Sequence, residues 1–157
     1  MSQSKYYSVN EDFSSEEILF DFINMAKNDL EIFGKDLLFD SNIWDITETN
    51  PGTQNTKQKI IFSNLKCSKE FNKFTIDNLI PLKDPFLSFT KAYLRYKQAM
   101  EPVKSLVPLI ASMRLLEQAL IEMTQTANPL NITTDVLNRA IAIGKENFTE
   151  AVVYRQG

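Results

Sequence analysis

The stretch DPFLSFTKAYLRYKQAMEPVKSLVPLIASMRLLEQAL, residues 84–120, holds most of the chemistry this sequence offers. It contains Lys91, Arg95, Lys97, Lys104, Ser105 and Arg114, and only two acids, Glu101 and Glu117, follow Asp84. Lys91 and Arg95 are four residues apart and share a helix face. Lys and Arg are the side chains that neutralise phosphate. Lys104 and Ser105 stand where a helix begins. A helix start offers unsatisfied N–H groups and a positive dipole end, and a neighbouring hydroxyl and ammonium would complete a phosphate clamp. Ser105 read alone is an N-cap, and the two roles are compatible. Lys97 points to solvent. Arg114 can instead pair with Glu117 or Gln118, and Arg139 and Lys145 carry the same ambiguity, while Arg155 falls in a last helix read as truncated, so its role depends on residues not present. The competing reading for each is a solvated helix face whose ion pairs are worth under about 1 kcal/mol.

Other chemistry is scarce. The chain has no histidine, which removes Ser-His-Asp and Cys-His catalysis and His-containing zinc sites. No phosphate-cradling glycine motif and no calcium-loop motif is present. No catalytic residue, metal or cofactor is therefore assigned, although a carboxylate-only site stays open. The one cysteine, Cys67, excludes an internal disulfide, fits a reducing cytoplasm and reads as inert. Phe71 and Phe74 lie among Lys66, Lys69 and Lys73, a pattern that can stack single-stranded bases but more often forms a satellite core. Trp44 and Phe62 read as a core plug.

Net charge is −3, unevenly spread. Residues 1–50 carry 3 basic and 11 acidic side chains, residues 51–85 carry 6 and 3, and residues 86–157 carry 8 and 6. The acidity is thus confined to the first third, and the total is a poor guide to any one surface. No apolar run approaches the roughly 20 residues of a spanning helix, and the N-terminus lacks the apolar core of a signal peptide.

The elements that must position these residues follow from periodicity. Residues 1–13 read as loose. Ser14 or Ser15 opens a helix over 15–33, with Glu16 and Glu17 in its first turn and Gly34 as its stop. IWDITET, 43–49, and KIIFSNL, 59–65, read as two strands joined by a turn at 50–56, with a further extended piece at 73–79. Pro81 and Pro85 mark a boundary. Beyond it, Asp84 caps a helix with Phe86, Phe89, Tyr93, Tyr96 and Met100 on its apolar stripe, ended by Pro102. A second helix begins near Ser105, with Pro108 in its first turn, and carries Leu106, Leu109, Met113, Leu116, Leu120 and Met123. After a loop at 124–132, Thr133 or Thr134 caps a third. NFT, 147–149, breaks it, and a fourth starts at Thr149. The fold class is α+β, mostly α: an N-terminal helix and β-hairpin over 1–83, then a bundle of about four helices over 84–157, the last truncated. The chain reads as a fragment cut inside that element.

Helix, short linker, helix, loop, helix, short break, helix is the order of the core-binding domain of tyrosine site-specific recombinases, the phage-integrase family, which residues 84–157 resemble. SFTKAYLRYKQ, VKSLVPLIASMRLLEQAL, NITTDVLNRA and NFTEAVVYRQG are similar to the starts of its four helices in turn. Each piece alone is a degenerate helical pattern, and their order and spacing carry the resemblance. It implies a domain forming half of a clamp around double-stranded DNA, with Lys91, Arg95, Lys104, Ser105, Arg114, Arg139 and Arg155 as candidate contacts to phosphate or bases. It also implies a separate catalytic domain beyond Gly157, other recombinase protomers as partners, no membrane, and a cytoplasmic site in a bacterial or phage-derived system. Residues 1–83 depart from the pattern and read as an accessory extension. The rival reading is a protein–protein interaction module that oligomerises through the amphipathic helix at 15–33.

Overall fold

The structure is a computed structural model that describes residues 14–34, 37–49, 58–65 and 80–156, with side chains as far as Asn147. The loose start at 1–13, the turn at 50–56, the extended piece at 73–79, Cys67, the Phe71 and Phe74 segment with its lysines, and the Arg155 side chain lie outside the described residues. What is described is α+β and mostly helical, as the sequence pattern indicates.

Helix α1 spans Ser15–Asp29. Ser14 caps it, its Oγ accepting from Glu17 N–H at 3.1 Å, and Glu16 and Glu17 face the positive end of the dipole. The helix stops four residues before the expected end. Its final carbonyls, on Ala26 and Lys27, are taken by the Arg95 guanidinium from another helix, so the chain is released early. Gly34 sits in the turn beyond, at φ +97°, where a residue without Cβ is favoured.

Strands β1, Ile43–Asp45, and β2, Lys59–Ile61, pair antiparallel with Trp44 opposite Ile60. Both are shorter than expected. The ladder is prolonged by Leu82 N–H to Phe62 C=O, 3.0 Å, and Asn64 N–H to Ile80 C=O, 2.8 Å, around a bridge between Ser63 and Pro81. Trp44 is fully buried, with Phe62 at 4.8 Å between ring centroids and Phe33 and Phe39 at 6.0 and 5.9 Å. This is the aromatic plug expected of Trp44 and Phe62.

Three helices follow. Helix α2 spans Phe86–Met100; Asp84 accepts from both the N–H and the hydroxyl of Ser88, capping it from one residue further out than expected. Helix α3 spans Val107–Thr124, with Pro108 in its first turn, and ends at Gln125 in the left-handed region. The linker between them is gripped by Gln98, whose side chain bonds both the N–H and the C=O of Val103. After a 3-10 turn at Pro129–Asn131, helix α4 runs unbroken over Thr134–Gln156. The expected break at 147–149 does not occur. Asn, Phe and Thr each disfavour a helix by only about 0.5 kcal/mol, and no proline stands there to stop it. Thr133 caps α4, its Oγ1 accepting from Val136 N–H.

Helices α3 and α4 pack along each other, as do α1 and α2. At the first seam, a Cβ on Gly144 would lie 3.1 Å from Leu115 Cδ1, so the absent side chain allows the close approach. One cluster of buried side chains runs from Ala26 through Trp44, Phe62, Phe86 and Leu94 to Leu120 and Ile143. The boundary expected at 83/84 therefore falls inside a shared core. Among the described residues, no helix is long and apolar enough to cross a membrane.

Candidate nucleic-acid interface

The two cations expected to lead a phosphate-binding face are interior residues. Lys91 and Arg95 are 3% and 2% exposed. The half-buried side of α2 is instead the Phe89, Tyr93 and Tyr96 stripe, covered by Phe22 of α1 at 6.1 Å from Phe89 and 5.6 Å from Tyr96. The hairpin covers the cationic side. Lys91 Nζ stands 5.3 Å from the Phe62 centroid and 5.8 Å from that of Phe39, and the Arg95 guanidinium 5.0 Å from Phe39 and 5.3 Å from Trp44. An aromatic face attracts a cation, which is how an apolar sheet surface accepts these two side chains. Lys91 Nζ also donates to Asn42 Oδ1, at a long 3.4 Å. Burial pulls the Lys91 ammonium down to about 8, against Asp40 and Asp84, which favour its charge. Arg95, lowered likewise by burial, keeps its proton.

Arg114 is not paired as expected with Glu117 or Gln118. Its guanidinium donates to the backbone carbonyls of Ile61, 2.8 Å, and Ser63, 3.2 Å. One turn on, the buried Glu117 accepts from Lys83 N–H at 2.6 Å. Helix α3 thus holds both edges of the 61–64 and 80–83 pairing through two side chains of opposite charge. Burial pushes the Glu117 carboxyl up, and the Lys83 N–H opposes this. Replacing Glu117 by Leu leaves that N–H bare and is expected to cost about 1–2 kcal/mol. Glu117→Gln keeps an acceptor and should cost less in urea unfolding at neutral pH; equal losses would show that the hydrogen bond is not what matters.

Arg139 makes a bidentate pair with Glu122, at 3.0 and 3.1 Å, and reaches Glu146 at 3.6 Å. Its charge is compensated on the surface. Lys104 and Ser105 are exposed just before α3, whose N-cap is Leu106 rather than the expected Ser105. The Ser105 Oγ accepts from Val107 N–H at 3.3 Å, which leaves its own O–H to donate outward. Pro108 has no N–H, and Leu109 N–H has no hydrogen-bond partner among the described residues. Gln58 Nε2 donates to Lys104 C=O at 2.6 Å, which ties the start of β2 to the linker before α3.

Of the expected contacts the structure therefore leaves one cluster outward: Lys104, Ser105 and the first turn of α3. The Gln58 side chain that holds the Lys104 carbonyl was not singled out by the sequence, because a hydrogen bond across 46 residues has no local signal. Searches of family models, of curated proteins and of solved structures found no match to this chain.

Proposed function

We propose that this chain is the DNA-holding, non-catalytic part of an integrase-like tyrosine recombinase, acting in the cytoplasm beside other recombinase protomers. Its partner is double-stranded DNA, and strand cleavage and joining belong to a separate catalytic domain. The observation that supports this best is the exposed corner at the α3 N-terminus. A phosphate there meets an ammonium on Lys104, an outward hydroxyl on Ser105 and the N–H of Leu109, which has no hydrogen-bond partner among the described residues. Three helices follow Pro85 in the order of the first three of the resemblance drawn from the sequence, while its fourth is absent because α4 runs through the expected break at 147–149. Lys91, Arg95 and Arg114 serve this reading as scaffold, since their charges are spent on aromatic rings and backbone carbonyls.

Binding to random duplex should fall steeply between about 50 and about 200 mM salt, because phosphate contacts release counterions. The double variant Lys104→Glu with Ser105→Ala should weaken it about tenfold at the lower salt, for all sequences alike. Lys91→Met should leave it unchanged. Undiminished affinity in the double variant, or none in the wild type at the lower salt, counts against the proposal.

A second reading is favoured by the exposed apolar side chains around the α2–α3 linker, Met100, Val103 and Val107, the first 56% exposed. They suit a protein–protein contact. Light scattering separates the two: a stable oligomer indifferent to DNA and salt supports the second.

A further inference from the structure

An open cleft of about 520 Å³ lies between the end of α1 and the 37–41 segment, with Arg95 among its lining residues. Arg95 is 2% exposed, yet among the described residues no carboxylate forms an ion pair with it. Its hydrogen bonds all leave from Nη1, to Ala26 and Lys27 C=O, and its Nε is buried with no partner. A guanidinium cannot shed its proton, so the cost of desolvating it stays in the folded state. Three cations converge on the one Phe39 ring beside the cleft: Lys27 at 5.7 Å, Lys91 at 5.8 Å and Arg95 at 5.0 Å. Asp40 stands against Lys27, and Glu31 offsets the charge of Arg95 without forming an ion pair, so what is left in need of an acceptor is the Arg95 Nε–H.

The walls specify which acceptor. Glu31 and Asp40 also line the cleft, and Lys27 is held by Asp40 at 3.5 Å. Two rim carboxylates would repel a dianion such as a phosphate monoester, whereas a single negative charge gives the guanidinium an acceptor at the least repulsion from the rim. Leu37, Leu38 and Phe39 supply apolar lining, with Leu38 71% exposed. A planar carboxylate suits the guanidinium fork. We propose that this cleft binds a monocarboxylate carried on an apolar body, the carboxylate against Arg95 and the body against Leu38 and Phe39. Neither the DNA-holding reading nor the protein-contact reading is needed for this inference.

The test is a titration of the full ¹⁵N-labelled chain, followed at the Arg95 Nε–Hε signal and the Phe39 and Leu38 amides. The probes are benzoate, its neutral isostere benzamide, inorganic phosphate, and a capped Leu-Glu-Leu peptide. Benzoate should shift these signals saturably, with a dissociation constant of about 1–10 mM, and benzamide should bind at least about tenfold more weakly. Leu38→Asp places a third acid on the rim at an exposed position and should weaken benzoate about fivefold with the amide spectrum otherwise kept. If the peptide binds more tightly than benzoate, the natural source is an acidic side chain; the reverse order points to a free acid. Equal shifts with benzoate and benzamide, tighter binding of phosphate, or no saturable shift up to about 50 mM benzoate would overturn the proposal.

Discussion

Trp44→Ala is expected to lower folding stability by about 4 kcal/mol, the range for an aromatic side chain removed from a closed core. The indole is fully buried against Phe33, Phe39 and Phe62, carries the Arg95 guanidinium on its face, and donates from Nε1 to Leu38 C=O at 3.1 Å. Alanine would leave a cavity under the hairpin and a guanidinium with one aromatic face fewer. A domain of this size has about 5–15 kcal/mol to lose. Trp44 is the single tryptophan, so the variant has to be followed by circular dichroism in urea rather than by fluorescence. Leu38→Ala, which removes an exposed side chain, serves as the control and should change the midpoint little. A loss below about 1 kcal/mol for Trp44→Ala would mean that the core is not organised around this ring.

Lys91→Met should do the opposite and stabilise the protein at pH 7, by an amount approaching 3 kcal/mol. The reasoning is linkage. Burial holds the Lys91 ammonium at about 8, against 10.5 in the unfolded chain. Below pH 8 both states are protonated, and the folded state bears the whole cost of the buried charge, about 1.4 kcal/mol per pH unit of displacement. Between about 8 and 10.5 the folded state has lost the proton and the unfolded state still binds it, so stability rises with pH across this window. Methionine has a similar shape and no charge to bury, and it keeps contact with Phe39 and Phe62. The difference in unfolding free energy between variant and wild type should therefore be greatest at pH 7 and shrink towards pH 10.5. A pH-independent difference, or a destabilised variant at pH 7, would show that the cation–π contacts and Asn42 outweigh desolvation. Arg95 offers no comparable relief, because it stays charged throughout.

The contrast between Lys91 and Lys104 shows where reading the sequence succeeds. Lys104 and Ser105 are local features, a cation and a hydroxyl just before a proline-marked helix start, and both stand exposed as their neighbours suggest, although the N-cap itself is Leu106. Lys91 and Arg95 lie on the polar side of an amphipathic pattern, and that pattern pointed them outward. Helix α2, however, is covered on two sides: by Phe22 over its aromatic stripe and by the hairpin over its cations. A helix between two layers has no purely polar face, and a periodicity argument assumes that one exists. Arg114 illustrates the same limit. Its carbonyl partners are 51 and 53 residues away, whereas Glu117, the acceptor nearest in sequence, bonds the Lys83 backbone.

By itself the sequence determined the α+β, mostly helical class, the antiparallel pairing around Trp44 and the exposed Lys104–Ser105 turn, and it narrowed two helix caps to adjacent pairs from which the structure takes Ser14 and Thr133. These depend on residue type and on spacings of two, three or four, which act within one element. Only the tertiary structure decided that α1 ends at Asp29 under the Arg95 guanidinium, that α4 continues past Thr149, and that two cations lie inside on aromatic rings. Burial is a property of what other elements cover, and desolvation and cation–π attraction become large only once that cover is in place.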